Sequence, residues 1–309
     1  MSRLLIKASN PMCLLQDAGR FGVRHLGVTQ GGAADWLSMT WANWLLGNAP
    51  GAAVVEITLG GLSLIAQSDC TLALAGADLA ASVDGKALKP WRCIELKKGQ
   101  TLSFTQPLLG ARAYLAAPGG FVAPQVLGSS ATVVREQLGG PDGFGRALAI
   151  GDELNYTAEP SALRDIPLAL QPGFTANPLL DVVLGAQIGA FSGQSTFDAF
   201  NQPWTLDSRA DRMGIRLQGP ALEYQGAPMI SEGIPLGAIQ VPPDGQPIVL
   251  LNDRQTIGGY PRLGALTPLA LARLAQCVPG ETVYLRPVTQ DAAQRQHQAF
   301  MQRFNQPSP

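Results

Sequence analysis

The densest run of chemistry-capable side chains in this 309-residue sequence is Asn252-Asp-Arg-Gln-Thr256. It follows an apolar stretch, Ile248–Leu251, and precedes Gly258-Gly-Tyr-Pro261. Five polar side chains straight after a core-type strand carry a desolvation cost unless they meet solvent, one another or a ligand. An aspartate, an arginine and a neutral amide so placed can bind a small zwitterion or an amide-bearing molecule. The same residues can instead lock a turn through an internal Asp253–Arg254 ion pair. Two further clusters are Gln16-Asp-Ala-Gly-Arg20, followed by Arg24 and His25, and the segment Ser208–Arg216 with Arg209, Asp211, Arg212 and Arg216. Either can hold a ligand or stabilise a turn. Glu56 and Glu232 stand beside apolar residues and need partners if buried, for which the arginines are the obvious candidates.

Conventional catalytic arrangements are absent from the sequence. There are two histidines, His25 and His297, too few for a histidine-based metal centre. No G-x-S-x-G turn presents a serine, and no G-x-x-x-x-G-K-[ST] loop cradles a nucleotide phosphate. The four cysteines, Cys13, Cys70, Cys93 and Cys277, are widely spaced without a CxxC and read as buried free thiols. Gly139-Gly-Pro-Asp-Gly-Phe-Gly145 lacks the strand-then-helix setting of a nucleotide fingerprint and reads as a structural loop.

The elements that must position these clusters are mostly strands. Gly 35 and Pro 24 against 6% aromatic residues favour short strands and tight turns over a helical bundle. Apolar runs at 54–59, 62–66, 71–75, 92–96, 101–104 and 111–117 recur between Gly and Pro turns, the pattern of a sandwich or barrel. Helices are expected over 35–46, stopped by Gly47 and Pro50, over 268–275, capped by Thr267, and over 291–304, where His297 reads as solvated. Matching strings occur in the same order in both halves, such as Arg20-Phe-Gly-Val-Arg24 with Arg212-Met-Gly-Ile-Arg216, and Lys98-Gly-Gln-Thr-Leu102 with Pro279-Gly-Glu-Thr-Val283. This order indicates a duplicated β domain. The expected organisation is a first β domain over 1–155, a proline-rich linker over 156–178, a second β domain over 179–290 and a helical tail over 291–309. A net charge of −1 gives no electrostatic case for nucleic acid or an anionic membrane. No apolar run reaches a membrane span, and the N-terminal segment lacks a signal-peptide core, so a cytoplasmic location is expected.

The ordered motifs Gln16-Asp-x-Gly-Arg20, Gly31-Gly-Ala33, Leu46-Gly-Asn48, Glu56-Ile-Thr-Leu-Gly60, Leu74-Ala-Gly-Ala-Asp78, Leu127-Gly-Ser129, Asp211-Arg-Met-Gly-Ile-Arg-Leu217, Ser231-Glu-Gly-Ile234, Gly237–Pro247 and Asp253-Arg-Gln-Thr256 with Gly258-Gly-Tyr-Pro261 resemble the biotin-dependent carboxyltransferase / allophanate hydrolase subunit 2 family. The resemblance runs from about residue 3 to 288. It departs at Ile257, where the family pattern has a second threonine, and at Phe121-Val122 and Pro141-Asp142. It implies a mainly β fold of two cyclophilin-like β-barrel domains with a few short helices. It also implies the C-subunit role in a heteromeric 5-oxoprolinase, with subunits A and B, that opens 5-oxo-L-proline to L-glutamate with ATP hydrolysis. With no phosphate-binding loop and no nucleophile machinery in the sequence, this chain is expected to be inactive alone. Alternatives within the resemblance are a Kip-type regulatory binding protein and a carboxyltransferase-like component of urea or allophanate metabolism. ATP is then a cosubstrate of the complex. No covalently attached biotin is expected, because no Met-Lys-Met sequence is present. On this reading Asp253, Arg254 and Gln255 are the catalytic candidates. Gln240, Thr256, Tyr260, Arg212, Gln16, Asp17 and Arg20 are the substrate-binding candidates, and no metal is expected.

Overall fold

The computed structural model describes residues 2–157, Arg164, Ile166 and 168–304. Residues 158–163, 165 and 167 of the expected linker and 305–309 of the expected tail lie outside the described residues. The chain divides into two compact units: Met1–Val23 with Gln30–Gly173, and Arg24–Thr29 with Phe174–Pro309. Among the described residues the fold is mainly β with four α-helices, of 7 to 15 residues.

In the first unit two sheets of seven and five strands enclose one apolar core. The strands predicted at 62–66, 92–96 and 101–104 have those bounds, and the one predicted at 71–75 extends over Cys70–Asp78. Alternation along Leu62–Ala66 turns Leu62, Leu64 and Ala66 inward, each at most 1% exposed. The central strand of the smaller sheet, Leu109–Ala116, pairs antiparallel with both Val54–Thr58 and Cys70–Asp78, and a buried apolar run is what such a position requires. The helix Trp36–Leu45 starts at Asp35, whose side chain accepts from the Leu37 and Ser38 amides, and ends before Gly47, whose φ of 71° suits a glycine. Glu56 is fully buried, and its Oε2 accepts from the Ala34 amide and the Tyr114 hydroxyl, both at 2.8 Å. Burial, with Glu56 and Asp35 alongside, pushes the Tyr114 phenol well up, so it stays protonated and donates. A phenol and a backbone amide thus meet this carboxylate, partners that the sequence does not suggest.

In the second unit seven strands close into a barrel, with Leu179–Leu184 pairing antiparallel to Arg262–Leu266 on one side and parallel to Thr282–Val288 on the other. Its interior is filled by Leu180, Trp204, Leu217, Val249, Leu263 and Leu285. The Trp204 ring is fully buried and its Nε1 donates to the Ala199 carbonyl at 3.0 Å. Ala199 belongs to a helix, Gly193–Asn201, that the sequence does not announce. Ser192 caps it, but it buries only Ser195 and Ala199, too thin an apolar stripe to read as periodicity. Helices Pro268–Leu274 and Gln290–Phe304 lie close to their predicted bounds. His297 is half-buried with its Nδ1 enclosed, not solvated, and Tyr156 completes the strand Glu153–Tyr156 instead of opening a linker. Cys13 and Cys277 are buried, whereas Cys70 and Cys93 are only half-buried. Among the described residues no helix is long and apolar enough to cross a membrane.

Candidate functional site

The first-unit cluster is a clasp. Gln16 ends the strand Cys13–Gln16, and its Nε2 donates to the Thr132 carbonyl at 3.0 Å. The Asp17 carboxylate accepts four hydrogen bonds. Oδ1 takes the Gly19 amide at 2.7 Å and the Ser129 hydroxyl at 2.6 Å; Oδ2 takes the Ser130 amide at 2.7 Å and the Ser130 hydroxyl at 3.1 Å. A carboxylate offers about four acceptor positions, so Asp17 has none left for a substrate. Arg20, 1% exposed, donates to the carbonyls of Val126, Ser129 and Ala131. Gly139 explains the glycine-rich loop. A Cβ there would lie 2.1 Å from the Ala131 oxygen and 2.5 Å from Arg20 Nη2, at a φ of 67°. Gln16, Asp17 and Arg20, expected to bind substrate, therefore fasten the segment 126–132 of their own unit.

The second-unit cluster is built differently. Ile248–Leu250 runs through the barrel, and the chain then turns with Asn252, Asp253 and Arg254 buried and Gln255 and Thr256 half-buried. The ion pair of Asp253 is made with Arg212, 41 residues away in sequence: Arg212 Nε and Nη2 donate to the two carboxylate oxygens at 3.0 and 3.1 Å. Arg254 turns instead to backbone oxygens, donating through Nε to Ile234 at 3.1 Å and through Nη1 to Leu251 at 3.2 Å. The Asp253–Arg254 pair that adjacency in sequence suggests is thus replaced. Neighbouring residues of an extended turn diverge, and the fork of a more distant arginine fits the carboxylate.

After this turn Ile257–Gly258 pairs antiparallel with Glu232–Gly233 as a two-stranded ribbon, extended by the Ile234 amide donating to the Thr256 carbonyl. Gln240, 2% exposed, stands near the ribbon; a Cβ on Gly258 would lie 3.0 Å from its Nε2 and 2.6 Å from Ile234 Cδ1. Among the described residues that Nε2, which is enclosed, has no hydrogen-bond partner. Glu232 accepts from Arg262 Nη2 at 2.5 Å and Gln187 Nε2 at 3.3 Å, so here an arginine is the partner. Tyr260 is 47% exposed.

Arg24 joins this cluster, although sequence proximity groups it with Gln16–Arg20. It belongs to the second unit, where its Nη2 donates to the Ile234 carbonyl at 2.8 Å and the Thr256 carbonyl at 3.0 Å. Thr29 of the same segment donates to the Arg254 carbonyl at 3.3 Å. Burial, reinforced by the nearby Arg24 charge, pushes the Arg254 guanidinium down to about 9. Two cations held mainly by carbonyl dipoles make a locus that favours negative charge. Among the described residues no three His, Cys, Asp or Glu side chains gather as a metal site. Of the candidates, Asp253, Arg254, Gln255, Gln240, Thr256 and Arg212 line the turn and its ribbon, and Tyr260 lies at the surface just beyond it.

Comparison with known proteins gives this arrangement a family. The chain is 39% identical over 284 residues to the C subunit of 5-oxoprolinase from Haemophilus influenzae, covering 90% of this chain and 89% of that protein. It is 35% identical over 302 residues to the C subunit of 5-oxoprolinase from Escherichia coli, covering 94% and 93%. The crystal structure of the Kluyveromyces lactis urea carboxylase superposes with a TM-score of 0.92 at 25% identity, covering 98% of this chain but only 29% of that one. Residues 26–287 match the family described as carboxyltransferase domain, subdomain A and B, and the chain belongs to that family.

Proposed function

We propose that the chain is the C subunit of an ATP-dependent 5-oxoprolinase that converts 5-oxo-L-proline to L-glutamate together with subunits A and B. The observation that carries this reading is the near end-to-end match to two proteins named as the C subunit of 5-oxoprolinase. The relatives named urea amidolyase share 27–28% identity and are covered over only 16% of their length. Amide resonance makes lactam hydrolysis slow. ATP would supply the chemistry that overcomes it: phosphorylation of the lactam oxygen releases ADP, one water adds at the carbonyl carbon, the C–N bond breaks as the nitrogen takes a proton, and a second water hydrolyses the resulting acyl phosphate to the carboxylate and inorganic phosphate. The chain's own contribution is positioning. Arg212 holds Asp253, the Ile234 and Leu251 carbonyls hold Arg254, and Gln240 keeps an unused donor under the ribbon. Such donors can orient a lactam and stabilise charge as it develops on oxygen.

The test is reconstitution. Purified chain is combined with subunits A and B, and glutamate and ADP are measured with 5-oxo-L-proline as substrate. Turnover is expected from the three proteins together and none from this chain alone. Full turnover by A and B without this chain, or by this chain alone, refutes the reading. Carboxyl transfer to urea is the second reading, favoured by the superposition on urea carboxylase. Carboxylation of urea by carboxybiotin, with no opening of 5-oxo-L-proline, would establish it instead.

A further inference from the structure

Two unused hydrogen-bond donors stand near Ile234. Arg24 Nη1 is enclosed without a hydrogen-bond partner among the described residues, while Nη2 of the same guanidinium is committed to the Ile234 and Thr256 carbonyls. Gln240 Nε2, near Gly258 where the Ile234 side chain also packs, is likewise enclosed without a hydrogen-bond partner among the described residues. Buried donors are rarely left without an acceptor, and each such donor calls for an explanation. The charge balance sharpens it. Asp253 is engaged by Arg212, and Glu232 is engaged by Arg262. Arg24 makes no ion pair with any described residue, and its charge bears on Arg254. The Arg24 charge is thus without an ion-pair partner among the described residues and partly desolvated, and two N–H-bearing nitrogens, Arg24 Nη1 and Gln240 Nε2, have no hydrogen-bond partner among those residues.

We propose that Arg24 and Gln240, in the field of Arg254, bind the carboxylate of a small-molecule ligand on the second unit. A carboxylate supplies what the site lacks: a negative charge and planar oxygens that a guanidinium fork matches. A neutral amide such as urea supplies no charge and leaves the arginine excess standing. The identity of the ligand rests on the 5-oxoprolinase reading, since 5-oxo-L-proline carries a carboxylate beside its lactam; the preference for an anion does not.

The experiment measures binding of 5-oxo-L-proline, 2-pyrrolidinone and urea by calorimetry. It uses the full chain and the reconstituted complex, with KM taken alongside. 2-Pyrrolidinone has the same lactam ring without the carboxylate. The expected result is that 5-oxo-L-proline binds at least about tenfold more tightly than 2-pyrrolidinone or urea. Arg24→Gln is expected to weaken 5-oxo-L-proline by about 10- to 100-fold, the range of a charge-assisted hydrogen bond, and to leave 2-pyrrolidinone unchanged. Arg24→Lys, which keeps the charge, recovers part of the loss. Gln240→Leu reports on the same carboxylate without touching the carbonyl bonds of Arg24, so an unstable Arg24 variant does not block the test. Equal binding of 5-oxo-L-proline and 2-pyrrolidinone, absence of binding in both settings, or an unchanged preference in both Arg24→Gln and Gln240→Leu overturns the inference. Turnover of 5-oxo-L-proline with KM unaffected by either variant overturns it while the 5-oxoprolinase reading stands. Arg24-dependent carboxylate binding in a complex that does not open 5-oxo-L-proline upholds it while that reading falls.

Discussion

Replacing Asp17 by alanine tests whether the first-unit cluster is a clasp or a ligand site. Asp17 is 9% exposed, and its carboxylate accepts from two backbone amides, Gly19 and Ser130, and two hydroxyls, Ser129 and Ser130. Alanine leaves all four donors without that acceptor. The hydroxyls can rotate, and Ser129 Oγ still accepts from the Ala131 amide at 3.0 Å. The two amides cannot move without the turn moving. At about 1–3 kcal/mol per orphaned buried donor, the amides alone give about 2–6 kcal/mol. The expected loss is about 4 kcal/mol, with Asp17→Asn intermediate because its one carbonyl oxygen can serve only half the donors. Urea unfolding of the full chain measures the loss, and hydrogen exchange locates it: protection of the Gly19 and Ser130 amides should fall while that of the barrel strand Ile248–Leu250 does not. A loss below about 1 kcal/mol for Asp17→Ala, with protection at Ser130 retained, would show that water replaces the carboxylate freely. The clasp argument would then be wrong, and Asp17 would return to the ligand-binding candidates.

Two further outcomes follow from the geometry. The Arg212–Asp253 pair, with side chains 16% and 9% exposed, should show a coupling energy of about 1–3 kcal/mol in a double-mutant cycle of Arg212→Ala and Asp253→Ala read by denaturant unfolding; a coupling near zero would mean that the pair is not formed in solution. Burial pushes the thiols of Cys13 and Cys70 up, so at about pH 8 each holds less thiolate than an unperturbed cysteine, and both should react with a disulfide reagent more slowly in the native chain than in about 6 M guanidinium; equal rates for single-cysteine variants in the two states would contradict the burial.

The strands are legible because their signal is local. Leu62–Ala66, Arg92–Leu96 and Thr101–Phe104 are short apolar or alternating runs cut by glycine or polar turns, and period and punctuation suffice to bound them. The helix Gly193–Asn201 is not legible, since its stabilisation comes from the Ser192 cap and from tertiary contact more than from an apolar stripe. At the candidate site, residue types are readable and partners are not. The acceptors of Arg20 lie 106 to 111 residues away, and nothing in a single sequence says that an arginine will choose backbone carbonyls over a nearby aspartate. Arg24 is misplaced for a related reason. Adjacency in sequence puts it with Asp17 and Arg20, whereas the segment Arg24–Thr29 belongs to the other unit.

The arginines at matching positions of the two repeats show how one motif serves different ends. Arg20 and Arg212 correspond in sequence, as do Arg24 and Arg216. Arg212 and Arg216 each meet a carboxylate, Asp253 and Asp244, whereas Arg24 meets carbonyl oxygens and keeps an enclosed Nη1 without a hydrogen-bond partner among the described residues. If carboxylate recognition resides at Arg24, its counterpart should be dispensable. The Asp244 side chain is 52% exposed and that of Arg216 25%, so the pair is a surface one, contributing about 0–1 kcal/mol. Arg216→Gln should therefore lower stability by less than about 1 kcal/mol and leave the KM for 5-oxo-L-proline unchanged, while Arg24→Gln raises it. Unfolding and steady-state kinetics on the same two preparations decide the matter. Equal increases in KM from both substitutions would show that net positive charge on this unit, and not the placement of Arg24, governs substrate capture, and the assignment of a local carboxylate site would fail.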